Sequence, residues 1–342
     1  MCTNQDVINA VYAAAKILER PGWPLLAKAG LAYLVKDRYA AYTGPGIESM
    51  AALTEHEKTL IILALPPVLS TPPAPRQPLE GKGFFIWLVG ECQGGDAQAI
   101  ATQAQQAGLS HALVKIAHGP NPYRYNISNG QDRVGPLVTA LRTLMPGFQV
   151  WGWQYTLGVD PEGDAQMAVA LVKQYQLDGF VINAEQEYKR EEIRPNAALY
   201  AQALRQSLRE ADLADLPVGL SSYRYPQLHQ DFPWAAFQEV CTVMMPQVYW
   251  VAREGPDPVA NLNRSVEQYR AMGWAGPIVP TGAAYDEWQK AADGTKWLWS
   301  TTPEQIRQFL PAVRQAGLPA VNFWCWDQAG PERWQAVAEF QW

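Results

Sequence analysis

Asn183 and Glu185 stand two positions apart at the end of a short apolar run, Asp178-Gly179-Phe180-Val181-Ile182-Asn183-Ala184-Glu185. In an extended strand alternate side chains share a face, so Val181, Asn183, Glu185 and Glu187 project together. An amide and a carboxyl side by side suit acid catalysis on an acetamido sugar. The acid protonates a glycosidic oxygen, while the amide orients or polarises the sugar's own 2-acetamido group as that group attacks the anomeric carbon. The plainer alternative makes Glu185 a solvated rim residue at the head of the charged stretch that runs through Glu187 to Lys189-Arg190.

Other groups fall at the ends of similar runs. Lys115 ends one, with His118 close behind; a buried cation there could hold a substrate hydroxyl, pair with Glu185, or form a structural ion pair. Gln154 and Tyr155 end another, and Gln247 and Tyr249 a third, where they would hydrogen-bond an acetamido carbonyl or nitrogen. Tyr285 and Asp327 follow two later runs, and Asp327 is the second carboxyl if the chemistry uses an acid–base pair flanking a bond. The chain holds 14 Trp and 15 Tyr. Trp87, Trp153, Trp250 and Trp326 lie at or near run ends, where a flat ring can stack on a sugar; Trp297 and Trp299 could extend such a platform.

Competing chemistries lack their residues. There is no P-loop, no G-x-S-x-G and no H-E-x-x-H, and Ser221-Ser222 has no His nearby. Cys2, Cys92, Cys241 and Cys325 are scattered without a C-x-x-C pair, which argues against a zinc site or a disulfide framework. No metal and no cofactor is expected. Cys241 and Cys325 are expected to be buried.

The elements that must position these residues alternate in type. Strand-like runs occur at Phe84–Val89, Ala112–Ala117, Gln149–Tyr155, Gly179–Ala184, Val218–Tyr223, Thr242–Tyr249, Ile278–Tyr285 and Ala320–Trp326. Helical patterns lie near 95–107, 133–144, 163–176, 195–213, 233–239, 258–272, 302–316 and 331–339. Eight such units predict an α/β fold, a (β/α)8 TIM barrel, with chemistry at the carboxyl ends of its strands. A doubly wound sheet would carry fewer strands, and no G-x-G-x-x-G follows the first. Before the barrel, residues 1–65 show three helical patterns and form a small helical segment or domain. Residues 66–82, with six prolines, make an extended linker, which leaves 83–342 for the barrel.

The run 178–185 resembles the D-G-F-D-I-D-x-E strand of the chitinase-type glycoside hydrolases. Val181 and Asn183 stand where that family carries two further aspartates. An Asn paired with Glu is similar to some endo-β-N-acetylglucosaminidases. Val243–Tyr249 and Phe323-Trp324-Cys325-Trp326 resemble the family's sixth and eighth strands, the latter with a floor tryptophan. A weaker likeness, through the strand-end carboxylates, Tyr249–Arg253 and Trp326-Asp327-Gln328, is to barrel lysozymes of bacterial cell-wall type. Both families act on N-acetylated β-1,4 glycans. The resemblance implies a hydrolase of chitin or peptidoglycan, with Glu185 as acid, Asn183 on the acetamido group, and Gln247, Tyr249 and Trp326 on substrate.

A net charge of −6 offers no basic field for nucleic acid. No apolar stretch is long enough to span a membrane, and the N-terminus lacks a signal peptide. The expected partner is therefore a glycan. Synthesis would be cytoplasmic, with exit by lysis or another non-classical route, and residues 1–65 could meet a protein partner. The alternative function is a barrel that binds glycan without cutting it, or a structural or targeting part of a larger assembly.

Overall fold

The computed structural model describes residues 78–128, 130–251, 255–290 and 294–342. The helices and the proline run expected before residue 78 lie outside the described residues.

Eight parallel strands close into a ring: β1 (Gly81–Ile86), β2 (His111–His118), β3 (Gln149–Tyr155), β4 (Gly179–Asn183), β5 (Val218–Tyr223), β6 (Val243–Gln247), β7 (Thr281–Ala283) and β8 (Ala320–Trp324). Each pairs with the next in order, and β1 pairs with both β2 and β8, so no barrel edge is left open. The outer ring is α1 (Ala97–Gln106), α2 (Val134–Leu144), α3 (Pro161–Tyr175), α4 (Asn196–Glu210), α5 (Trp234–Gln238), α6 (Pro258–Ala271), α7 (Pro303–Gln315) and α8 (Pro331–Glu339). This is the (β/α)8 TIM barrel that the alternation predicts.

Helix starts are written locally. Asp96, Asp160 and Asp257 each accept a backbone N–H in the first turn of α1, α3 and α6, and Thr302 with Gln305 forms a capping box on α7. Pro161, Pro258 and Pro303 sit at the start of their helices, where no N–H is needed.

The strand period sorts the core. Phe180 and Ile182 of β4 face the helices, whereas Val181 faces the barrel interior with Phe85, Leu113, Trp151, Trp153 and Met245. Asn183 continues the inward parity one layer higher. β1 starts at Gly81, inside the stretch expected to be linker. Lys82, only 2% exposed, donates from Nζ to the carbonyls of Val337 and Phe340 at 2.8 and 2.6 Å. A lysine so placed does not look like a strand residue in the sequence, because its partners lie at the other end of the chain.

After β7 the structure departs from the expected loop. Asp286–Lys290 and Lys296–Ser300 pair as an antiparallel hairpin, with Trp288 opposite Leu298 and Glu287 opposite Trp299. Among the described residues no helix is long and apolar enough to cross a membrane.

Candidate functional site

The register of β3 to β6 decides which side chains meet at the barrel mouth. Tyr155 pairs with Asn183, and Asn183 with Ser221, which sets three inward residues level across the tops of β3, β4 and β5. Gln247 closes β6 beside Tyr223. Glu185, the first residue beyond Ala184, turns into this cluster at the head of a 3-10 turn, Gln186–Lys189.

Gln247 organises the acid. Its Nε2 donates to Glu185 Oε1 at 3.0 Å and lies at 3.4 Å from Asn183 Oδ1 and 3.5 Å from Ser221 Oγ. Asn183 is buried and Glu185 half-buried. Burial pushes the Glu185 carboxyl above the ordinary carboxylate value, and the charge of Glu187 adds to this. Hydrogen bonds from Gln247 and Asn183, and the nearby Lys115 ammonium, oppose the shift without cancelling it. A carboxyl whose pKa is raised keeps its proton to higher pH than a solvated rim residue does, which suits a proton donor.

Lys115 is 5% exposed and sits in a box of rings, its Nζ 4.3 Å from the centroid of Tyr123, 4.6 Å from Trp153, 5.8 Å from Tyr155 and 5.9 Å from Trp87. Burial lowers its pKa to about 8, opposed by the charge of Glu185. Tyr155 donates its hydroxyl to Glu187 Oε2 at 2.8 Å and stacks on His118. Tyr249 and Tyr285 meet edge to face, and both flank a cleft of about 320 Å³ together with Tyr223, Arg224, Gln247 and Glu287. So Asn183, Glu185, Gln247, Tyr249 and Tyr285 are brought to one mouth, with Lys115, Tyr155 and Trp87 on its flank.

Two expected residues are placed elsewhere. Trp326 is 2% exposed and faces the helices: it packs on Phe84 and Trp334, and its indole donates to Gln93 Oε1 at 2.8 Å. The tryptophan of β8 that looks inward is Trp324, half-buried and within 6.1 Å of the Trp87 and Trp153 rings, measured between centroids. The inward parity of Ala320 and Asn322 ends at Trp324, because the strand gives way at Cys325 to a 3-10 turn, Trp326–Gln328. Asp327, in that turn, accepts the Trp87 backbone N–H at 3.2 Å and so ties β8 to the end of β1. Burial raises its carboxyl too, but the negative charge that acts on Glu185 is that of Glu187.

Trp153 and Trp250 are also buried, their indoles bonded to Ile86 O and Gln305 Oε1. Cys92, Cys241 and Cys325 are buried and free. Among the described residues no group of three His, Cys, Asp or Glu side chains is placed to hold a metal ion.

Several contributors carry no signal that sequence reasoning used. Tyr123 joins the Lys115 box from the loop after β2, Ser221 reaches Gln247 from β5, and Arg224 flanks the cleft. Asn126, 1% exposed, holds the tops of β1 and β2 together through Trp87 O, Lys115 O and the Val89 N–H. Ser221 alone was findable, from inward parity at a strand end.

No family model matches this sequence, and no curated protein matches it. Solved structures do. A class V chitinase from Nicotiana tobaccum aligns with a TM-score of 0.57 at 11% identity, over 77% of this chain and all of that one. A glycoside hydrolase family 18 N-acetylglucosaminidase from Paenibacillus barengoltzii aligns at 0.52 and 13%, over 76% and 99%. A chitinase-like agglutinin from Robinia pseudoacacia aligns at 0.53 and 10%, over 75% and 98%. The chain therefore has the TIM-barrel fold of the family 18 chitinases.

Proposed function

We propose that the protein is a glycoside hydrolase acting on an N-acetylhexosamine-containing β-glycan of the chitin or peptidoglycan kind. The observation that carries this is the Gln247–Glu185 hydrogen bond beside Asn183, next to the cleft that Gln247 lines with Tyr223, Tyr249 and Tyr285. Gln247 occupies Oε1 and leaves the second oxygen of Glu185 for the proton. That oxygen protonates the glycosidic oxygen as the bond to the anomeric carbon breaks. The carbonyl oxygen of the substrate's 2-acetamido group, oriented by the Asn183 amide, bonds to the same carbon. Water then opens the resulting ring, returns a proton to Glu185, and leaves the configuration retained.

Val181 and Asn183 are uncharged, so Glu185 has no carboxylate neighbour of its own strand beneath it. That favours a second reading, a barrel that binds glycan without cutting it, and the likeness to a chitinase-like agglutinin is consistent with it.

Reducing-end release from chitin oligomers and purified peptidoglycan, beside a pull-down on the same polymers, separates the two readings. The parent should cleave, and Glu185→Gln should lose roughly 100- to 10,000-fold in rate while binding as before. Binding by both proteins with product from neither would replace hydrolysis with recognition. Equal cleavage by both would remove Glu185 from the chemistry.

A further inference from the structure

Lys115 presents three N–H donors and, among the described residues, no hydrogen-bond acceptor for any of them. Four rings surround the ammonium, and rings satisfy a cation only through their faces. Lys115 Nζ is not among the fully enclosed polar atoms without a partner, so its donors are open to a ligand acceptor from the mouth. Lys115 shares the inward parity of Leu113, so what remains accessible opens into the mouth that holds Glu185.

The acids near it each accept from a neutral donor and, among the described residues, none is hydrogen-bonded to the ammonium. Glu185 accepts from Gln247, Glu187 accepts from Tyr155, and Glu287, across the cleft, accepts from Gln289. A second cation, Arg224, flanks the cleft with its guanidinium over the Tyr225 ring and, among the described residues, donates to the Tyr249 carbonyl. Among the described residues neither Lys115 nor Arg224 is in a direct ion pair with a carboxylate, although the negative charges of Glu187 and Glu287 lie close by. A neutral amino-sugar chain offers no anion to form such a direct pair with Lys115.

Resting on the hydrolase-or-binder reading of this mouth, we propose that its glycan bears a carboxylate beside the amino sugar, and that Lys115 is the specificity-determining residue that receives it. The carboxylate could be a uronic acid in the chain or an acid ether on the amino sugar itself. The chemistry at Lys115 is the same for both: two oxygens accepting charge-assisted hydrogen bonds from an ammonium in a low-dielectric box.

The test is calorimetric binding to the full chain carrying Glu185→Gln, so that no ligand is consumed. The probes are a hyaluronan tetrasaccharide for the uronate, a muramic-acid-containing tetrasaccharide from peptidoglycan for the ether acid, chitotetraose as the neutral chain, and the methyl esters of both acids. At least one acid should bind roughly 10- to 100-fold tighter than its own ester and than chitotetraose, the size of a charge-assisted hydrogen bond expressed as affinity. Whichever acid does so identifies the source. In Lys115→Met the acid-to-ester ratio should fall to near one.

The ester comparison needs no mutation at Lys115, so it stands even if that variant fails to fold. Equal affinity for acid and ester, or an unchanged ratio in Lys115→Met, overturns the proposal. Acid preference without cleavage by the parent keeps this inference and removes hydrolysis. Cleavage of chitotetraose without acid preference does the reverse.

Discussion

Glu185 is an acid whose strength is set by burial and four neighbours acting in opposite directions, and that makes its pH behaviour a sharp test. Burial and Glu187 raise its pKa, while the Gln247 hydrogen bond lowers it by favouring the charged form. A general acid works only while protonated, so hydrolysis should fall as pH rises through that raised value. Replacing Gln247 with Leu removes the bond that favours the carboxylate. The high-pH fall of kcat/KM should therefore move to still higher pH, while the rate at the optimum drops roughly tenfold or more as Glu185 loses its fixed orientation. A pH–rate profile reads both, and a limb that stays put or moves to lower pH would show that Gln247 does not tune the acid. The sequence made Asn183, Glu185 and Gln247 visible because a period of two carries through a strand to its last residue. It misled at Trp326 because the strand ends at Trp324, and nothing in Phe-Trp-Cys-Trp says that the backbone turns between the two tryptophans. The Lys115 box was legible only in part: its cation was, but its rings come from β1, β3 and the loop after β2, and no local pattern joins them.

At the scale of the element, the acid can stand where it does only because β4 is fixed at its far end. Asp178 Oδ2 accepts the Val150 N–H at 2.7 Å and Arg142 Nη2 at 2.8 Å, which locks the strand to β3 and α2. Next to it, Gly179 leaves room for the Trp151 ring: a Cβ there would lie 2.3 Å from it, and Trp151 is itself 1% exposed with nowhere to move. Asp178→Ala should cost about 1–3 kcal/mol through the orphaned N–H and guanidinium, and Gly179→Ala about 1–3 kcal/mol through overpacking. Denaturant midpoints measure both, and a midpoint unchanged in either variant would mean that β4 tolerates a shifted start. The strands were legible from β-branched and aromatic runs and the helices from amphipathic stretches between them. The seventh strand was overdrawn. Pro277 and Pro280 cannot donate to a ladder, so Ile278 makes only an isolated bridge to Met244 and regular pairing begins at Thr281. The hairpin after it was missed because its alternation, Asp-Glu-Trp-Gln-Lys against Lys-Trp-Leu-Trp-Ser, mixes charge and aromatics on both faces instead of burying one.

For the whole molecule, ring closure leaves no strand of the barrel without a neighbour on each side. Residues 76–342 form one compact unit. Within it the first strand is held to the last elements by the Gly81 N–H to Pro319 O at 3.1 Å, by the β1–β8 ladder, and by Lys82 Nζ reaching the carbonyls at the end of α8. These contacts join the two ends of the unit, which in an open sheet would be left as free edges. Residues 76–342 expressed alone should therefore unfold in a single cooperative transition. Its denaturant midpoint should match the barrel transition of the full chain to within about 0.5 kcal/mol, the scatter expected of independent units. Glycan affinity should be unchanged as well, because the rings around Lys115 and the hydrogen bonds of Asn183, Glu185 and Gln247 come from strands and loops within residues 76–342. A truncated barrel that aggregates, or that folds with weaker glycan binding, would show that residues 1–75 complete the site and that the ring is not self-sufficient.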